Sequence, residues 1–296
     1  MVTNYSASER LFDYFIVAVL VLCGLSTLFP LIHILAISFS DKSAVAGGLV
    51  TMFPVHFSTA SYEAVIKDGA FFRAFWVSVQ RVVLGVGIQF AVTILTAYAL
   101  SRSSSEFRSR NVYMWVLVFT MMFSGGLIPL YLTIKELHML DTMWALVLPS
   151  AVPVFNVIVL MNFFKNLPKE MDEAGVIDGA GPWQLLWKIY LPLSLPSLAT
   201  VTLFSFVGHW NAFFDGMVFL NSPEKVPLQT YLNQIIVQSA QPTTNMTVDE
   251  IERMAKLSDK TVNAAKILVS MLPILVIYPL LQRYFVTGIT LGSVKE

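Results

Sequence analysis

The chain is 296 residues long, 56% hydrophobic and 13% charged, and its 19 basic side chains balance its 19 acidic ones. That balance excludes binding to nucleic acid or another polyanion through bulk charge, and the apolar excess lies beyond ordinary globular usage. The single cysteine, Cys23, excludes an internal disulfide and reads as a small buried hydrophobe.

Six apolar stretches can be drawn, at roughly 11–38, 73–99, 111–134, 143–164, 191–220 and 263–285, each near the length that a tilted helix needs to cross a bilayer. The expected architecture is all-α and polytopic, a single transmembrane domain over 1–296. The first stretch is too long for the apolar core of a signal peptide and has no obvious small-residue cleavage site, so it is expected to remain as an anchor. An even number of spans puts both ends on one side. Arg102, Arg108 and Arg110 lie in one short loop and Lys165, Lys169 and Lys188 in another on the same side, and bases in short loops mark the cytoplasm. Both termini and the 165–190 loop are therefore expected inside.

The 41–70 segment is too polar for lipid and predicts irregular structure with a short helix near Tyr62. In the second span Ser78, Arg81, Gly85, Gln89, Thr93 and Thr96 recur at steps of three and four, which places them on one stripe. Arg81 lies about 12 Å beyond Arg73 at 1.5 Å per residue. A charge at that depth faces the bundle interior or a wet cavity. Two readings stand: an arginine lining a pathway, whose fork would hold a ligand carboxylate with two parallel bonds, or a structural arginine paired with a neighbouring helix or snorkelling outward. The third span holds Gly125, Gly126 and Pro129, read as small residues for close helix packing.

The 165–190 loop reads as helix, turn, helix. Pro168 suits the first helical position, and Glu170, Asp172 and Glu173 suit the first turn, where the helix dipole favours acids. Gly179 and Gly181 predict a left-handed stop, and Pro182 opens a second helix. Ala174 and Gly175 leave one face of the first helix bare enough for another protein to approach. The run Glu173, Ala174, Gly175, then Asp178, Gly179, Ala180, then Leu186, Ile189, Leu191 and Pro192 resembles the EAA loop of ABC-importer permeases, whose pattern is E-A-A-x-x-D-G-A, five residues, F-x-x-I-x-L-P. Eight of ten fixed positions match; Gly175 replaces an alanine and Leu186 a phenylalanine.

The fifth span carries Phe206, His209, Trp210, Asn211, Phe213 and Asp215. Aromatic faces beside hydrogen-bonding groups suit a sugar pathway; an aromatic belt at the membrane interface is the alternative. The 221–262 segment is expected to be an amphipathic outer loop, helical around Tyr231, with Thr247 and Glu250 as a capping box before a second helix. The last span contains Pro273 and Pro279 and ends near Arg283, and the tail from Gly288 resembles those of maltose-permease-type carbohydrate permeases.

No G-x-x-x-x-G-K-[ST] loop and no H-E-x-x-H occurs, so neither a phosphate cradle nor a zinc-protease site of those kinds is present. The four histidines, His33, His56, His138 and His209, are scattered. No inverted repeat of the kind found in secondary carriers is visible; a self-contained secondary transporter or channel is nonetheless the rival reading.

The resemblance spans nearly the whole chain and implies a type I ABC importer permease fold in a bacterial inner membrane, not an enzyme. It further implies a second, related permease, two ATPase subunits that bind ATP and Mg, an external solute-binding protein, and an oligosaccharide substrate, with permeases for uronate-containing sugars such as alginate fragments as the nearest subgroup. No cofactor or metal on this chain and no nucleic-acid partner is expected. The resemblance makes Glu173, Ala174, Gly175, Asp178, Gly179, Ala180, Leu186 and Pro192 the ATPase-docking loop. Arg81, Gln89, Phe206, His209, Trp210, Asn211 and Phe213 are the candidate substrate pathway.

Overall fold

The apolar runs form helices, as a bilayer requires of any segment whose backbone must satisfy itself. The computed structural model describes residues 7–239 and 260–292, and among these every regular element is helical. In chain order, α1 is Ala7–Ser38, α2 Lys42–Ala46, α3 Ala60–Lys67 and α4 Gly69–Ser101. Next come α5 (Arg110–Met122), α6 (Leu127–Glu136), α7 (Met143–Val147) and α8 (Val154–Lys165). The loop holds α9 (Lys169–Ile177) and α10 (Pro182–Leu185), which runs through a π turn at Leu186–Tyr190 into α11 (Leu191–Leu193). The chain then forms α12 (Leu195–Asn211), α13 (Phe214–Phe219), α14 (Leu228–Ser239) and α15 (Lys260–Gly292).

Three stretches, Leu11–Ser38, Gly69–Ser101 and Lys260–Gln282, are each long and apolar enough to span a membrane alone. Three bent pairs complete the expected six. The third span is not one helix: α5 and α6 meet at 114°. Its glycines do not pack a continuous helix but break it, since Phe123 turns extended and Gly126 adopts φ 86°, a region closed to most residues with a Cβ. In the fourth span the bend is 44°, at a gap that contains Pro153, whose ring and missing N–H cannot continue the preceding turn. The fifth starts earlier and stops sooner than expected. Pro182–Leu193 meets α12 at 83°, and the helix ends at Asn211 because Ala212 turns extended, leaving α13 as a separate piece.

One compact unit comprises the chain up to Phe71 with Gln234–Met271; the other comprises Phe72–Asn233 with the chain from Leu272. In the first unit, α1 leaves Leu11, Phe12, Phe15 and Leu20 exposed, as lipid contact requires. Cys23 is exposed as well, not buried. The short helix expected near Tyr62 is α3, and the Tyr62 hydroxyl lies 2.9 Å from Ser38 Oγ. Lys266 pairs with Asp68 at 2.7 Å. The amphipathic helix expected around Tyr231 is α14. The capping box at Thr247 and Glu250 and the helix after it lie outside the described residues.

The second unit contains the main core. Ile94, Ala97 and Leu100 of α4 pack with Val157, Leu160, Met161 and Phe164 of α8 and with Leu185, Leu186, Tyr190 and Leu191 of the loop's second helix. The α4 stripe read from the sequence faces inward: Ser78, Arg81, Gln89 and Thr93 are all buried. Ser78 Oγ accepts the backbone N–H of Leu228 at 2.8 Å, which seats the start of α14.

Candidate functional site

Two places carry chemistry, both within the second unit. The first is the loop. Pro168 caps α9 from outside instead of taking its first position, and helical geometry begins at Lys169. Glu170 and Asp172 occupy the first turn, where the dipole favours them. The helix ends in a Schellman arrangement: Gly179 N–H donates to Val176 O at 3.0 Å and Ala180 N–H to Gly175 O at 2.9 Å. Gly179 holds φ 78°, as that motif needs, whereas Gly181 is extended at φ −73°. The left-handed stop is therefore made by Gly179 alone. Gly181 instead starts α10, its N–H donating to Gln184 Oε1 at 3.2 Å.

Gly175 does not lie open to a partner. A Cβ there would sit 2.6 Å from Leu185 Cδ2 and 2.9 Å from Ile189 Cδ1, so the missing side chain lets the loop's two helices close on each other. Leu186 is buried beneath them. The outward side carries Glu173, Ala174, Asp178 and Gly179, all exposed. Five large apolar side chains of the loop also remain exposed: Met171, Val176, Ile177, Trp183 and Trp187, with Ile177 at 84%. Apolar side chains held in water at a turn whose own interior is packed mark a surface for another protein.

The second place is a cavity of about 350 Å³ that sets polar side chains in a mainly apolar wall. Arg81 and Gln89 of α4, Ser150 and Asn156 of the fourth span, and Ser205, His209 and Asp215 from the fifth line it, with Phe204 and Gly208. Arg81 is 2% exposed, and its two terminal nitrogens both donate to the Asp215 carboxylate, Nη1 to Oδ1 at 3.0 Å and Nη2 to Oδ2. Nη1 also donates to Ala212 O at 3.2 Å. That carbonyl caps the end of α12, and Asp215 lies in the first turn of α13, so each charge sits at the helix end whose dipole suits it. Gln89 donates to Ser150 O at 2.7 Å, and Asn156 Nδ2 to Val201 O at 3.2 Å and Ser205 Oγ at 3.1 Å. His209 is buried against Gly85, where a Cβ would lie 2.4 Å from Nε2.

Of the candidate pathway residues, Arg81, Gln89 and His209 reach this wall. Phe206 and Trp210 stack on each other at 6.2 Å, and Trp210, 2% exposed, meets Phe75 edge-on at 5.5 Å, which is a packing role. Asn211 and Phe213 are exposed and are not part of the wall. The fork of Arg81 is filled by Asp215, so the two readings of Arg81 are both met in part: it pairs with an acid and it lines a cavity, but it is not free for a carboxylate. Asn156 and Ser150 are not singled out by the sequence: the apolar run holds two amides, Asn156 and Asn162, and only the first lines the cavity. Among the described residues no three His, Cys, Asp or Glu side chains gather as a metal site would require.

The chain is similar to known proteins over nearly its whole length. The family described as "Binding-protein-dependent transport system inner membrane component" matches residues 86–291, well over half of the chain. The chain belongs to this family. It is a membrane-embedded permease of the ABC-importer type, and its place is the inner membrane. Among its relatives, the polygalacturonan/rhamnogalacturonan transport system permease protein YtcP of Bacillus subtilis is 37% identical to this permease over 287 residues, 97% of this chain and 99% of the relative. Protein LplC of the same organism is 38% identical over 286 residues, 97% of this chain and 95% of the relative. A solved chain from a bacterial ABC transporter involved in the import of the acidic polysaccharide alginate superposes with a TM-score of 0.85 at 34% identity, covering 95% of this permease and 99% of that chain.

Proposed function

We propose that this permease is one of two related membrane subunits of an importer that carries oligosaccharides, acidic ones among them, into the cytoplasm. The supporting observation is the loop: a packed helix–turn–helix with Glu173, Ala174 and Asp178 beside exposed Val176, Ile177, Trp183 and Trp187 is a surface prepared for an ATP-hydrolysing partner. In this reading two ATPase subunits hold ATP and Mg, and an external binding protein delivers the sugar. The 165–190 loop and both termini face the cytoplasm, and 221–262 faces outward. The relatives' names support the substrate class, since one imports the acidic polysaccharide alginate and another is named for polygalacturonan and rhamnogalacturonan. The cavity supplies neutral hydrogen-bonding groups suited to sugar hydroxyls, because its one arginine is neutralised by Asp215.

Transport follows from coupled equilibria. Closure of the ATPase pair moves the docking loops, and the attached helices open the cavity to the other side; ligand and nucleotide drive this only by binding one state better than the other. The test is copurification followed by uptake. The tagged permease is expected to bring down an ATPase and a second permease, and proteoliposomes holding the complex should take up uronate oligosaccharides only with ATP and a binding protein. Uptake by this chain alone, driven by an ion gradient, would overturn the proposal.

A further inference from the structure

We propose that Arg102 is the positioning residue that fastens the loop to the cytoplasmic end of α4, making α4 the element that carries loop movement to the cavity. The proposal rests on reading the Glu173 loop as the ATPase-docking loop.

Arg102 is the first residue beyond α4. Its Nη1 donates to Asp172 Oδ2 of α9 at 2.7 Å, and its Nη2 donates to the Tyr98 hydroxyl one turn back on α4. The guanidinium carbon lies 4.4 Å from the centre of the Tyr98 ring and 4.8 Å from that of Tyr190. The Tyr98 hydroxyl donates onward to Pro182 O at 2.9 Å. One arginine and one tyrosine thus tie the last turn of α4 to both halves of the loop: α9 through Asp172, and the second helix through Pro182 and Tyr190. An exposed ion pair would contribute little. Here the side chains are only 16% and 23% exposed, and a planar fork stacked on aromatic faces holds a direction that a flexible ammonium does not. Beneath the link, Ile94, Ala97 and Leu100 pack against Leu185, Leu186 and Leu191.

Three routes lead from the loop towards the cavity. One covalent route enters α8 at Lys165 and reaches Asn156 on the wall, but the non-helical residues 166–168 separate α8 from α9. The other covalent route runs through a π turn at Leu186–Tyr190 and an 83° bend before α12, and such a joint absorbs displacement. The third is α4, a single helix from Gly69 to Ser101 with Gln89 and Arg81 about 18 and 30 Å from its end at 1.5 Å per residue. Both residues line the cavity. A displacement applied at Arg102 therefore reaches the wall without a break in the helix.

The experiment uses the whole complex in proteoliposomes and reads the ratio of ATP hydrolysis with sugar-loaded binding protein to hydrolysis without it, per assembled complex. Arg102→Gln is expected to lower this ratio about tenfold, and Arg102→Lys, which keeps the charge but not the fork, to lower it less. A second arm places Arg102→Cys with Asp172→Cys in a Cys23→Ser background. That complex should be uncoupled when reduced and regain coupling when a bifunctional thiol reagent bridges the two positions. This arm also decides the matter if Arg102→Gln fails to assemble. A normal ratio in Arg102→Gln, or a bridge that blocks uptake, would overturn the proposal. A normal ratio in Gly179→Val, or the absence of any ATPase from the wild-type complex, would instead remove the docking-loop reading beneath it.

Discussion

Helix α4 carries one arginine–aspartate pair in the membrane and another just past its end, and their surroundings differ. Arg81 and Asp215 meet at the break between α12 and α13, with Arg81 2% and Asp215 26% exposed. Arg102 and Asp172 meet beside the loop, 16% and 23% exposed, with the arginine resting on two tyrosine rings. Burial of Arg81 makes the first pair an obligation: the arginine alone at that depth is expensive, and the Asp215 carboxylate cancels it. In the second pair neither charge is fully buried, and the stacking of the guanidinium on two rings gives the pair a direction. The same chemistry thus holds a cavity together in one place and links two elements in the other.

The largest expected effect breaks the deep pair. Asp215→Ala leaves Arg81 buried without its carboxylate and should cost about 3–5 kcal/mol, read as lost yield and a lower melting temperature in detergent. Asp172→Ala should cost about 1 kcal/mol or less while reducing coupling. Removing both charges, Arg81→Gln with Asp215→Asn, should recover most of the deep-pair loss. Equal melting of Asp215→Ala and Asp172→Ala would erase the distinction.

A smaller effect sharpens it at a third carboxylate. Asp141 accepts from Lys225 Nζ at 2.7 Å, from Ser222 Oγ at 2.6 Å, and from the Asn221 and Ser222 N–H groups at 3.0 and 2.9 Å. The Lys225 bond first, and the Ser222 hydroxyl next, hold its carboxyl well below the usual carboxylate range. A lowered folded value means that the stabilisation is present above the unfolded value of about 3.9 and drains away as pH falls below it. The melting-temperature difference between wild type and Asp141→Asn should therefore be steady near neutral pH and shrink below about pH 4. A difference that stays constant on acidification would show that the ion pair contributes nothing.

What the sequence disclosed follows from how local each signal is. The loop was legible because its motif, its acids in the first turn and Gly179 all act within about twenty residues. The α4 stripe was legible because a helical period alone places Ser78, Arg81, Gln89 and Thr93 on one face. The partners were not, since Asp172 is 70 residues from Arg102 and Asp215 is 134 from Arg81, and no period connects them. Hydropathy found the third and fifth spans but hid the breaks after Met122 and Asn211, because Phe123, Ala212 and Phe213 are apolar whether or not they are helical; the bend at the entry to the fifth span was legible from Pro192 and Pro196. Gly175 was misjudged for a related reason: a missing Cβ says that something comes close, not whether it is a partner or, as here, Leu185 and Ile189 of the same loop.

The central claim, that this loop couples ATP hydrolysis to transport, is tested most directly at Gly179. Its φ of 78° closes α9, and a β-branched residue resists that conformation. The Gly179→Val complex should insert and retain its second permease, yet show no increase in ATP hydrolysis when sugar-loaded binding protein is added. Stimulation equal to wild type would contradict the account.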